Sequence, residues 1–238
     1  MKTKLSFLIS TLFFLFIAQC LAGMHLHASI HTEDTGKILT EPDTDYMEKM
    51  RKNVQVLLAA TSVDELRPLT DQFSTIAENY PDEWLPSYYA ALAFTNMGYL
   101  LEGSIAEKDD LFDEADKHLA TAEELQPENP EVKALKTFIL MGRLTADPQS
   151  RAMYMGDSVM RSLNQARQLD AENPRIRLIS AIMDHGSAQF MGQSTDQACR
   201  QGMSVKPAIE ENLQAAEEGS IKPAWGMNLI EWLETQCQ

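Results

Sequence analysis

The chain has 238 residues, with 20 Lys or Arg against 35 Asp or Glu and a formal net charge of −15. A balance this acidic repels phosphate backbones and anionic lipid, which excludes nucleic acid and acidic membrane surfaces as expected partners. The length suits one domain or one continuous array of repeats.

Lys2 and Lys4 precede an uncharged, almost wholly apolar run from Leu5 to Ala18, followed by the small-residue stretch Cys20-Leu21-Ala22-Gly23. That order predicts a signal peptide over residues 1–22, cleaved after Ala22. The run falls short of the ~20 residues that a helical span needs, and no later segment supplies one. Cleavage leaves 18 basic residues against 35 acidic ones, a net charge of −17. The expected location is the periplasm or the exterior of a bacterial cell. A lipid anchor on Cys20 is the alternative, and Gln19 before it fits that route poorly. Residues 23–43 are polar and aperiodic and read as a flexible linker.

The remaining segment, 44–238, reads as one all-α domain. A first helix over about 45–60 puts Tyr46, Met50, Val54, Leu57 and Leu58 on one face. Ser62-Val63-Asp64-Glu65 is a capping box that opens a second helix ending near Pro81. Further helices are expected over 83–102, 108–126, 130–146, 149–170 and 174–191, then a short one around Cys199. Another over 207–218 stops at Gly219. The last, from Pro223 to about Thr235, places Trp225, Leu229, Trp232 and Leu233 on one stripe, as a capping helix would.

A repeat organises these helices. Pro86, Pro130 and Pro174 lie 44 residues apart, as do Phe94, Phe138 and Ile182, and Gly98, Gly142 and Gly186. Met97, Met141 and His185 precede the three glycines; Ala93, Thr137 and Ala181 repeat at the same period. Leu119, Ala122 and Leu125 return as Leu163, Ala166 and Leu169, each set followed by Asn-Pro. Proline starts each unit at a first helical turn, and small residues let neighbouring helices approach. A helix pair of this kind cannot bury its apolar face alone, so the pairs are expected to stack.

Ala115, Leu119, Ala122 and Pro127, with the exit turn Pro127-Glu128-Asn129-Pro130, resemble the second helix of a tetratricopeptide repeat. Val159, Leu163, Ala166 and Ala171 follow the same spacing more loosely. The period of 44 exceeds that family's usual 34, and the first helices lack its full Trp-Leu-Gly-Tyr set. The resemblance implies a helix-hairpin solenoid of about three to four repeats with a C-terminal capping helix. It also implies a concave groove lined by first helices, where extended segments of a partner lie.

No phosphate loop, Gly-x-Ser-x-Gly or His-Glu-x-x-His is present, so the expectation is a scaffold for a protein or peptide partner, without catalysis or cofactor. Tyr89, Lys133 and Arg177 share one register, with Lys136, Arg143 and Arg175 beside them. They form a candidate ladder for an acidic or aromatic segment; the alternative is that these cations neutralise the acidic second helices of neighbouring units. Cleavage after Ala22 would expose Gly23-Met24-His25, which resembles the amino-terminal Cu(II)- and Ni(II)-binding motif. That motif supports an alternative function, an envelope accessory protein binding metal or a small ligand through its N-terminal histidines or the groove. Cys199 and Cys237 read as a disulfide tying the last helix to the body, with two separate thiols as the alternative. His118 and His185 fall within the repeat body, where packing is the expected role.

Overall fold

A computed structural model of the chain describes residues 43–238. The expected signal peptide, lipid site, linker residues 23–42 and Gly23-Met24-His25 lie outside the described residues. Ten helices are present among those described: α1 (Thr44–Ala59), α2 (Val63–Asn79), α3 (Trp84–Leu100), α4 (Ile105–Leu125), α5 (Pro130–Ala146), α6 (Pro148–Leu169), α7 (Pro174–Phe190), α8 (Asp196–Met203), α9 (Lys206–Glu217) and α10 (Met227–Gln236). The described fold is all-α. None of these helices is long and apolar enough to cross a membrane.

Local chemistry sets most helix ends. Ser62 accepts from the Glu65 amide at the start of α2, and Ser104 and Glu107 cap α4 reciprocally. Asn129 and Asn173 cap α5 and α7, each just ahead of a proline at the first helical position. These side chains satisfy amides that the first turn leaves unbonded.

Helices α1 to α8 pack pairwise in chain order, and a second set of contacts joins α1 to α3, α3 to α5 and α5 to α7. The odd helices therefore form an inner row. In that row α3 is apolar on every side: Leu85, Tyr88, Tyr89, Leu92, Ala93 and Met97 are all buried. Close approach between units is concentrated at one ring. A Cβ added to Gly98 would stand 2.6 Å from Phe112, and one added to Gly142 would stand 2.4 Å from the same ring. Phe112 of α4 is thus wedged between α3 and α5, at two positions where only glycine leaves room.

The C-terminal segment departs from the expected cap. The last helix begins at Met227 rather than Pro223, because Gly226 adopts φ 121°, which ends any helical run through it. Trp225 consequently lies on a loop and not on the stripe with Leu229 and Leu233, and Trp232 is 43% exposed. Helix α9 packs against both α7 and α1, so the chain's end spans from one end of the inner row to the other. Arg51 Nε donates to the Gly219 carbonyl, and Gln55 to the carbonyls of Ala216 and Glu217. These bonds hold the segment against α1. Cys199 and Cys237 are joined by a disulfide that ties α8 to the end of α10.

Candidate functional site

The inner row does not present an open ladder. Tyr89 is fully buried beneath the chain's own C-terminal loop, and its hydroxyl donates to the carbonyls of Ile221 (3.1 Å) and Lys222 (2.7 Å). Lys133 is paired with Glu123, Lys136 with Asp116 (2.6 Å), and Arg143 with Asp113 (2.6 Å) and Asp116 (2.8 Å). Arg151 joins them by a two-pronged pair with Asp109. The basic residues of α5 thus lie against the acidic face of α4. Arg175, 4% exposed, makes a two-pronged pair with Glu131 and also reaches Asn212 of α9. Arg177 alone of the register stays exposed, within 3.5 Å of Glu172 and bonded to Ser204. The register seen in sequence is therefore divided between a buried phenol, a partnered lysine and a surface arginine. No ladder for a peptide results from it.

A different cavity offers a site. A cleft of about 420 Å³ opens where the end of α1, the end of α3, Leu213 of α9 and the loop into α10 meet. Its volume falls within the range of about 300–1,000 Å³ usual for small-ligand sites. Leu57, Leu58, Leu100, Leu213 and Met227 supply apolar walls, with Leu100 44% exposed at the rim. Thr61, Asn96, Asn228 and Glu231 are the polar groups. The lining holds no histidine, cysteine, serine, lysine or arginine.

Two of the lining residues belong to an aromatic stack. Tyr99 lies face to face with Phe138, with centroids 4.6 Å apart and planes 15° apart. Phe138 in turn faces Trp225 at 5.1 Å and 17°. Both ends of the stack are fixed by hydrogen bonds: Tyr99 donates to the Phe138 carbonyl at 3.0 Å, and Trp225 Nε1 donates to the Tyr88 hydroxyl. Burial pushes the Tyr89 and Tyr99 phenols well above their ordinary range, so both remain protonated donors. Phe138 and Trp225 are 2% and 4% exposed, so the stack backs the cleft with only the edges of Tyr99 and Trp225 reaching it. Rings pinned in this way lose little further side-chain freedom on binding.

Residues from four distant stretches build this cleft, and no motif in the sequence marks them. The one available signal was Trp225 between Pro223 and Gly226, a large aromatic flanked by helix-stopping residues.

A scan of protein-family models finds no match, and a search of the curated proteins finds none either. Among solved structures, the fold is similar to the HusA haemophore from Porphyromonas gingivalis, with a TM-score of 0.65 and 26% sequence identity. The alignment covers 83% of this chain and 97% of that one.

Proposed function

We propose that the protein is an exported binder of a flat, largely apolar ligand of the porphyrin class, haem included, held in the cleft beside Tyr99 and Trp225. The observation that carries this reading is the stack of pinned, near-parallel rings reaching a cleft of ligand size, in a chain similar to a haemophore over most of its length. The expected signal peptide and the disulfide support an oxidising location outside the cytoplasm. The 44-residue register supports describing the inner row as an elongated tetratricopeptide-like array, with the ligand site where its first helices meet the C-terminal segment.

The lining decides how such a ligand is held. Met227 carries the only sulfur in the lining, no imidazole is present, and the Tyr99 hydroxyl is kept protonated by burial and engaged by the Phe138 carbonyl. The macrocycle's buried area would therefore supply the affinity, with little contribution from iron ligation. Haem and iron-free protoporphyrin therefore bind with similar strength. Glu231 is the only charge in the lining, which turns the ligand's carboxylates toward solvent.

Absorbance titration of both porphyrins into the wild type and Leu100→Glu tests this. Leu100 ends α3 and is half-exposed, so the variant keeps its fold while placing a second acid in the cleft. Affinity for both ligands is expected to fall by about tenfold or more, ~1.4 kcal/mol. Unchanged affinity would remove the cleft as the site.

A second reading, contact with a protein partner, rests on a separate observation. Met153 and Tyr154 near the start of α6, and Phe190 and Met191 at the end of α7, are exposed. Exposed apolar side chains of this kind suit a docking face.

A further inference from the structure

The cap contains a cluster that the ligand cleft does not use. His185 of α7 is 3% exposed, and one of its ring nitrogens and the sulfurs of Cys199 and Cys237 all lie within 4.8 Å of one another. The two earlier registers place Met97 and Met141 where His185 stands. An imidazole has replaced a core thioether at the one position facing two sulfurs. Among the described residues, no hydrogen bond holds this ring; it lies edge-on to Trp232, with centroids 6.0 Å apart.

The helices that carry the three groups are held by more than the S–S bond. Helices α7, α8 and α10 pack on one another. Leu178, Val205, Ile209, Ile230 and Leu233 form a small core of their own, with Cys237 packed against it. A Cβ on Gly202 would stand 2.2 Å from Leu233, so α8 and α10 approach closely beside the disulfide. Opening the bond therefore leaves two thiols and an imidazole still gathered, on a partly exposed edge of the cap. Two thiolates and one imidazole are soft and borderline donors of the kind that Zn²⁺ takes, with water completing a tetrahedral set.

We propose that the cap is a redox-conditional metal site: reduced Cys199 and Cys237 bind Zn²⁺ together with His185, and disulfide formation releases the metal. The bond is opened by a dithiol reductant, which becomes a disulfide as the two cysteines become thiols. Zn²⁺ then displaces one proton from each thiol and accepts the imidazole lone pair. In the reverse direction a disulfide-class oxidant takes two electrons from the thiolates, the S–S bond reforms and Zn²⁺ departs. In the oxidised protein both sulfur ligands are consumed, so it carries no such site.

Cobalt is the test probe, because thiolate ligation gives it a charge-transfer absorption and tetrahedral d–d bands. The full chain is reduced with a water-soluble phosphine, freed of it without oxygen, and titrated with Co²⁺. One equivalent is expected to bind with both sets of bands, and Zn²⁺ to bleach them. The oxidised protein should show neither. His185→Gln should weaken the reduced site by about tenfold or more, while its oxidised form unfolds as the wild type does. Reduced wild type without a one-equivalent thiolate band overturns the proposal, as does a His185→Gln variant that binds Co²⁺ unchanged. A reduced chain that loses its helical signal and does not regain it with Zn²⁺ overturns it as well.

Discussion

Gly98, Gly142 and Gly186 stand at one register in the sequence, yet their surroundings differ. A Cβ at Gly142 would meet Phe112 at 2.4 Å, whereas at Gly186 nothing lies within 4 Å. Gly142→Ala is accordingly expected to destabilise by about 1–3 kcal/mol in urea unfolding, through forced displacement of a buried ring. Gly186→Ala should stabilise α7 by roughly 0.5–1 kcal/mol, because it removes backbone entropy without a clash. Equal losses at the two sites would contradict this account of the packing. The shared spacing was legible in the sequence; the different partners were not, since Phe112 reaches Gly142 from another helix. Lys133 carries the same lesson. Its register suggested a groove, but its side chain is settled by Glu123 of α4, a partner that only the stacking of helices selects.

At the scale of elements, α3 to α7 agree with the expected boundaries within three residues, because asparagine and serine caps, prolines and apolar spacing all act locally. The C-terminal element departs from its expected start for an equally local reason. Pro223 and the spacing of Trp225, Leu229 and Trp232 imitate a helix start, and the positive φ of Gly226 overrides them. What fixes the loop is long-range: Tyr88, Tyr89 and Phe138 of the inner row hold Trp225 and the carbonyls before it. Trp225→Ala is therefore expected to cost about 3–5 kcal/mol of stability, read as a shift in the urea midpoint. The Glu131–Arg175 pair links α5, α7 and α9 in the same interior. Arg175→Met alone leaves the largely buried Glu131 carboxylate without its cation, with only Asn173 donating to it. That variant should cost about 3–5 kcal/mol, whereas Glu131→Leu with Arg175→Met should restore most of it. A double variant as unstable as the single one would show that the pair itself is required.

Across the whole molecule, the sequence supports an elongated helical repeat but not its closure. Helix α9 touches both α1 and α7, so the inner face is covered by the chain's own end, and what stays open is the cleft at α1, α3 and Trp225. That cleft joins side chains near residues 58, 100, 213 and 227, each ordinary in its own stretch of sequence. The disulfide holds the far side of the same cap. Replacing Cys199 and Cys237 with serine should lower stability by about 3–4 kcal/mol in the chain-entropy account, with the helical signal retained. Full loss of helix in that variant would mean that the cap's packing depends wholly on the bond.

The central claim is that a flat macrocycle lies against the ring stack ending in Trp225. The chain has three tryptophans, Trp84, Trp225 and Trp232, and each indole N–H gives its own resonance in a proton–nitrogen correlation spectrum. Titration with iron-free protoporphyrin, whose ring current shifts nearby protons, is expected to move the Trp225 Nε1–H signal to saturation at one equivalent. The Trp84 and Trp232 signals should stay in place. A Trp225 signal that does not move, or saturable shifts confined to Trp232, would contradict the account.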